Sequence, residues 1–198
     1  MRIFFAPKWL QFGGGGRKDQ TAKRTSPTSH ARTGKSHDNT GWTPLHAAAE
    51  QGDSERIALL LFSGADPNVR DVDGLTPLHL SAKHGDTEGV KVLLSRGADI
   101  SPRDTTGMTP LHLIARYGEL DVASLLLARG AEVNAQNSVG WSPLHEAVAR
   151  AYVDMIELLL AAGADRHAAD HNGKTPMNVA AVLGRTDIGA LLLRRTKE

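Results

Sequence analysis

One four-residue signal returns every 33 residues and governs what this chain can fold into. It reads Thr43-Pro44-Leu45-His46, Thr76-Pro77-Leu78-His79 and Thr109-Pro110-Leu111-His112, then Ser142-Pro143-Leu144-His145 and, further drifted, Thr175-Pro176-Met177-Asn178. A glycine stands two positions before each copy, at Gly41, Gly74, Gly107, Gly140 and Gly173. Another follows the hydroxyl residue at Gly52, Gly85, Gly118 and Gly184, with Ala151 as the exception. A fixed period of this length marks an array of small units. None can bury its apolar face alone, and all are stabilised by stacking.

Each unit carries its own start and stop signals. The Thr or Ser hydroxyl can accept an orphaned N–H of a first helical turn. The proline after it sits where no N–H is needed and φ is already set. The glycine position ends this short first helix with a left-handed cap. A second helix follows, with an acid in its first turn at Glu55, Glu88, Asp121, Asp154 and Asp187, favourable at the positive end of the helix dipole. Its apolar side is Leu59-Leu60-Leu61, Val92-Leu93-Leu94, Leu125-Leu126-Leu127, Leu158-Leu159-Leu160 and Leu191-Leu192-Leu193. Gly64-Ala65-Asp66 and its equivalents stop it, and an extended loop leads to the next copy.

The pattern D-x-x-G-x-T-P-L-H-x-A-A-x-x-G…L-L-L-x-x-G-A-D-x-N, met most closely in the units beginning near Asp38, Asp71 and Asp104, resembles the ankyrin repeat family. The resemblance covers about four fifths of the chain. It implies an all-α solenoid of helix-turn-helix units with projecting β-turn fingers and a protein partner on the concave face made by finger tips and first helices. Five repeats are expected, over about 39–71, 72–104, 105–137, 138–170 and 171–198. The fourth departs from the pattern at Asn137, Ser142 and Ala151. The fifth loses the histidine and carries Gly189 on its second helix, as suits a C-terminal cap.

Residues 1–38 read differently. They hold eight Lys/Arg and two Asp, a net of +6 in a chain whose formal net charge is +1. Pro7-Lys8 interrupt the apolar Ile3-Phe4-Phe5-Ala6 and Trp9-Leu10-Gln11-Phe12, so no secretory h-region forms. The run Gly13–Gly16 opposes the amphipathic helix of a transit peptide. Gly34-Lys35-Ser36 ends like a phosphate-binding loop, but Ser29 stands where the earlier glycine is required. The expectation is a flexible basic extension. An alternative makes Phe4, Phe5, Trp9 and Phe12 an anchor at an anionic membrane surface. No apolar run in the chain reaches the ~18–20 residues that cross a bilayer. With no cysteine and no N-x-[ST] acceptor, the expected setting is the cytoplasm.

No constellation points to catalysis, and no cofactor, metal or nucleic acid is expected. His46, His79, His112 and His145 recur once per unit, on helices ~8–10 Å apart, too far to share one ion. The resemblance implies instead that each bonds backbone and ties adjacent units together. His145-Glu146 opens like a zinc-protease helix, but the fifth position is Ala149. His167 and His171 lie four apart in a loop.

The candidate partner-binding residues are those that break the repeat's sameness. Before each Thr/Ser-Pro stand Trp42, Leu75, Met108 and Trp141, expected at finger tips. Near the end of the first helices stand Lys83, His84, Arg116, Tyr117 and Arg150. Aromatic, Met and Arg side chains are the types enriched at interface cores. Lys83, Arg116 and Arg150 form a basic line, so an acidic protein partner is expected, bound to a monomer.

Overall fold

The structure, a computed structural model, describes residues 40–194, which form ten α-helices in five consecutive pairs and no strand. The expected N-terminal extension, its membrane-anchor reading and the repeat residues Asp38 and Asn39 lie outside the described residues. The helices are α1 Pro44–Gln51, α2 Ser54–Phe62, α3 Pro77–Lys83, α4 Thr87–Ser95, α5 Pro110–Tyr117, α6 Leu120–Ala128, α7 Pro143–Arg150, α8 Val153–Ala161, α9 Pro176–Val182 and α10 Thr186–Leu193. Five pairs fit the five units expected from the period.

Every odd-numbered helix starts at its proline, behind an extended Thr or Ser cap. The stop is a left-handed residue, at Gly52, Gly118 and, in the fourth unit, Ala151 with φ 59°. Two rows result. First helices α1, α3, α5, α7 and α9 each pack on the next, and so do second helices α2, α4, α6 and α8. One continuous core runs between the rows, with Leu45, Leu78, Leu111 and Leu144 fully buried at the start of successive units. Three leucines in succession cannot share one face of a helix, since each is turned about 100° from the last. The middle residue of the triple is the most deeply buried in four units, at Leu93, Leu126, Leu159 and Leu192, joined in the fourth by Leu160 and in the fifth by Leu191. The first unit differs: its buried residue is Leu61, and Leu59 stands 66 % exposed.

Between pairs, the chain turns through a β-turn in which the Gly74 N–H donates to the Asp71 carbonyl at 3.0 Å, repeated from Gly107 to Asp104, Gly140 to Asn137 and Gly173 to Asp170. Consecutive fingers are stitched by single backbone bonds: Val72 N–H to the Thr40 carbonyl, Thr105 to Asp73, Ser138 to Thr106 and His171 to Val139. This stitching forces the glycine. A methyl on Gly140, whose φ is 84°, would stand 2.6 Å from the His171 nitrogen. Asn137 fills the Asp position without loss, because its Oδ1 accepts the Val139 and Trp141 N–H groups as Asp71 Oδ1 accepts those of Asp73 and Leu75.

Candidate functional site

The four histidines belong to the junctions between units. His46 Nδ1 accepts the Thr43 N–H at 3.2 Å, and its Nε2 donates to the Leu75 carbonyl of the next unit at 3.1 Å. His79 reaches the Met108 carbonyl, His112 that of Trp141 and His145 that of Lys174 in the same way. Each takes the place that Glu or Gln usually holds in a capping box, and adds a bond to the following unit. A carbonyl on one side and an N–H on the other admit only the neutral imidazole protonated at Nε2. Burial pushes all four below the usual histidine range, His112 to about 4, although the carbonyl bonds and nearby Asp71, Asp104 and Asp170 act in the opposite direction. Asn178 keeps only the local half of this arrangement, accepting from the Thr175 N–H at 2.9 Å. Among the described residues no three His, Asp or Glu side chains converge as metal ligands.

These bonds relocate the residues before Thr/Ser-Pro. The carbonyls of Leu75, Met108, Trp141 and Lys174 receive the histidine bonds, so this position stands at the base of the finger, and the tips are Val72-Asp73, Thr105-Thr106, Ser138-Val139 and His171-Asn172. Met108 is buried, at 5 % exposure, instead of lying at an exposed tip. Trp42, Leu75 and Trp141 are half-buried against the core. Trp42 stacks on His46 with ring centres 5.3 Å apart, and Trp141 on His145 at 5.8 Å. The Trp141 indole N–H also donates to Asp170 Oδ2 at 3.1 Å. Burial disfavours the Asp170 charge, but this bond and those from the Lys174 and Asn172 N–H groups hold its pKa below the usual carboxylate value. Leu75, Met108 and Trp141 therefore tie units together first, while Trp42 stacks within its own unit.

The basic line is largely neutralised by the fold. Lys83 Nζ lies 3.4 Å and His84 Nε2 3.0 Å from Glu50 Oε1 on the preceding unit. Arg116 grips the buried Glu146 of the following unit with both Nε and Nη2, at 3.1 and 2.8 Å. Burial opposes the Arg116 charge, yet the hydrogen bonds and charge of Glu146 raise the guanidinium pKa above its ordinary value. Among the described residues Arg150 makes no ion pair, and its buried Nε meets no hydrogen-bond partner. Tyr117 stands 46 % exposed at the end of α5. Of the nine candidates, Tyr117 and Arg150 keep both solvent access and freedom from these internal pairs.

Glu50 and Glu146, which decide what Lys83, His84 and Arg116 can do, carried no weight in the sequence. Glu146 had a signal: its equivalents are Ala47, Leu80, Leu113 and Val179, so a carboxylate there breaks an apolar position. Two polar ladders were also missed. Arg70 bonds the Arg103 carbonyl, Arg103 the Gln136 carbonyl and Gln136 the Ala169 carbonyl, each 33 residues on. Asn68 and Asn134 each reach the glycine carbonyl that ends the next unit's second helix, Gly97 and Gly163, at 3.0 and 3.1 Å.

A comparison with curated proteins finds no match. The family model described as ankyrin repeats (3 copies) matches residues 45–137 and 115–198, which together take in most of the chain. With that match, the helix pairs, the stitched fingers and the histidine bridges, the chain belongs to the ankyrin repeat family.

Proposed function

We propose that the chain is a protein-recognition module, an adaptor, scaffold or inhibitor without chemistry of its own, that takes its partner across the fingers and first helices. Ankyrin repeats are generally protein–protein interaction modules, and stacked repeats offer one extended surface. One observation carries the reading to this row. The recurring polar residues here are consumed by the junctions, while the ends of the first helices carry a different side chain in each unit: Gln51, His84, Tyr117, Arg150 and Leu183, four of them exposed. A surface that varies over a scaffold that does not is what a selective binder requires. A cytoplasmic monomer fits the cysteine-free composition.

A pull-down from cell extract with mass spectrometry would identify a partner, whose affinity is then measured against variants. Tyr117→Ala removes an exposed aromatic with no role in the junctions. It should weaken binding at least tenfold and leave helical circular dichroism and the melting midpoint unchanged. Wild-type affinity in this variant would move the site off the first-helix row. Trp141→Ala is the poorer probe, since it also deletes the bond to Asp170 and the stack on His145.

A further inference from the structure

We propose that Arg150 anchors a carboxylate side chain of the partner, in a patch whose apolar walls are Tyr117, Val182 and Leu183. This rests on the first-helix row being the partner-binding face, and it moves the centre of that face toward the last two units. Three cations lie along the row, and the fold neutralises two. Lys83 is held by Glu50, and Arg116 by Glu146. Among the described residues Arg150 has neither an ion pair nor a hydrogen-bond acceptor for its buried Nε. A guanidinium N–H that has lost water without gaining an acceptor is unfavourable, and an incoming carboxylate reverses that deficit.

Among the described residues no acid pairs with Arg150. Arg116 finds Glu146 on the first turn of the next unit's first helix, whereas the equivalent residue one unit further on is Val179. The residues at Arg150's own helix position on either side are Tyr117 and Leu183. Helix α7 packs against both α5 and α9, so these positions lie side by side. Leu183 is 40 % and Val182 77 % exposed, an unusual display of apolar surface beside a lone cation. The chemistry that fits is an Asp or Glu flanked by large apolar residues.

The pair one unit away shows how such an acid would be gripped. Arg116 offers its Nε and Nη2 edge to the two oxygens of Glu146, the planar fork that matches a carboxylate. A phosphate dianion would call for a second cation, and Lys83 and Arg116 are already committed to Glu50 and Glu146.

The full chain, panned against a displayed library of random peptides, tests this. Enriched peptides should carry Asp or Glu beside large apolar residues. The best of them, synthesised, should bind at least tenfold more weakly to Arg150→Ala and to Arg150→Gln, both with wild-type melting curves. Replacing the peptide's acid by its amide should cost a similar factor, and the two losses should not add. Panning against Arg150→Glu should enrich Lys and Arg instead. Absence of acid enrichment, or equal affinity for wild type and Arg150→Ala, overturns the proposal. If Tyr117→Ala weakens binding and Arg150→Ala does not, the face stands and the anchor falls. If neither does, both fall. A phosphoserine peptide that binds more than tenfold tighter than its Glu counterpart would overturn the carboxylate assignment in favour of a phosphopeptide.

Discussion

Two residues depart from the repeat at a cost to stability. Ala151 is the one non-glycine with positive φ among the described residues, at φ 59° and ψ 33°. A Cβ in that region costs roughly 1–2 kcal/mol. Glycine gives back some of this through a freer unfolded chain, ~0.4–1 kcal/mol. Ala151→Gly should therefore raise stability by up to about 1 kcal/mol, read as a higher urea midpoint at unchanged m-value. Ser81 is the second. It is fully buried on α3 and its hydroxyl has no hydrogen-bond partner among the described residues, where other units place Ala48, Ile114, Ala147 and Ala180. Ser81→Ala removes a desolvated polar group at little change in volume. It should stabilise by about 1 kcal/mol in the same measurement.

At the scale of elements, what distinguishes one junction from another is its polar ladder. Asn68 makes two bonds to the loop of the next unit, donating to the Gly97 carbonyl and accepting the Asp99 N–H at 2.7 Å. Asn134 does the same with Gly163 and Asp165. Between them Ser101 offers only a long bond, 3.4 Å from the Glu132 N–H, because its side chain is one amide too short. Ser101→Asn should complete the ladder with the Gly130 carbonyl and Glu132 N–H. The expected gain is about 1 kcal/mol, seen as slower hydrogen exchange in the 130–135 loop and a higher melting midpoint. Unchanged exchange there would mean the asparagine side chain points to solvent.

For the whole molecule, the four buried histidines make the array sensitive to acid at every bridged junction. Their folded-state pKa values lie below the unfolded value of about 6.5. The unfolded chain thus binds more protons, and stability is full above pH ~6.5 and declines as pH falls through the folded values. His112, lowered to about 4, accounts for a loss on the order of 3 kcal/mol by pH 4. Protonation at Nδ1 would face its new N–H against the Thr109 N–H it now accepts at 3.1 Å. Melting midpoints should fall steeply between pH 6.5 and 4.5. His112→Asn copies the arrangement at Asn178, keeping the cap and losing the bridge to Trp141. It should be less stable than wild type at pH 7.5 by about 1–2 kcal/mol, with a shallower decline toward acid. A parallel decline in both proteins would show that other groups drive acid unfolding.

The sequence by itself determined the period, the helix starts at the hydroxyl-Pro pairs, the stops at Gly52, Gly118 and Ala151, and the families of core leucines. These follow from interactions spanning a few residues, and repetition multiplies each weak signal. It also put Lys83, His84, Arg116, Tyr117 and Arg150 at the ends of first helices, though without the partners they meet there. Whether Arg116 is free depends on Glu146, 30 residues away, and whether Lys83 is free depends on Glu50, 33 away. Trp141 leaves the surface because Asp170 takes its N–H across the junction. Met108 looked exposed because the finger was read one step off, a position fixed by bonds from Asp71 and its equivalents and from the neighbouring finger. Only tertiary structure decides such pairings. Stacking brings together residues one period apart, and the charge and reach of each neighbour, which no local periodicity encodes, set which groups are left for a partner.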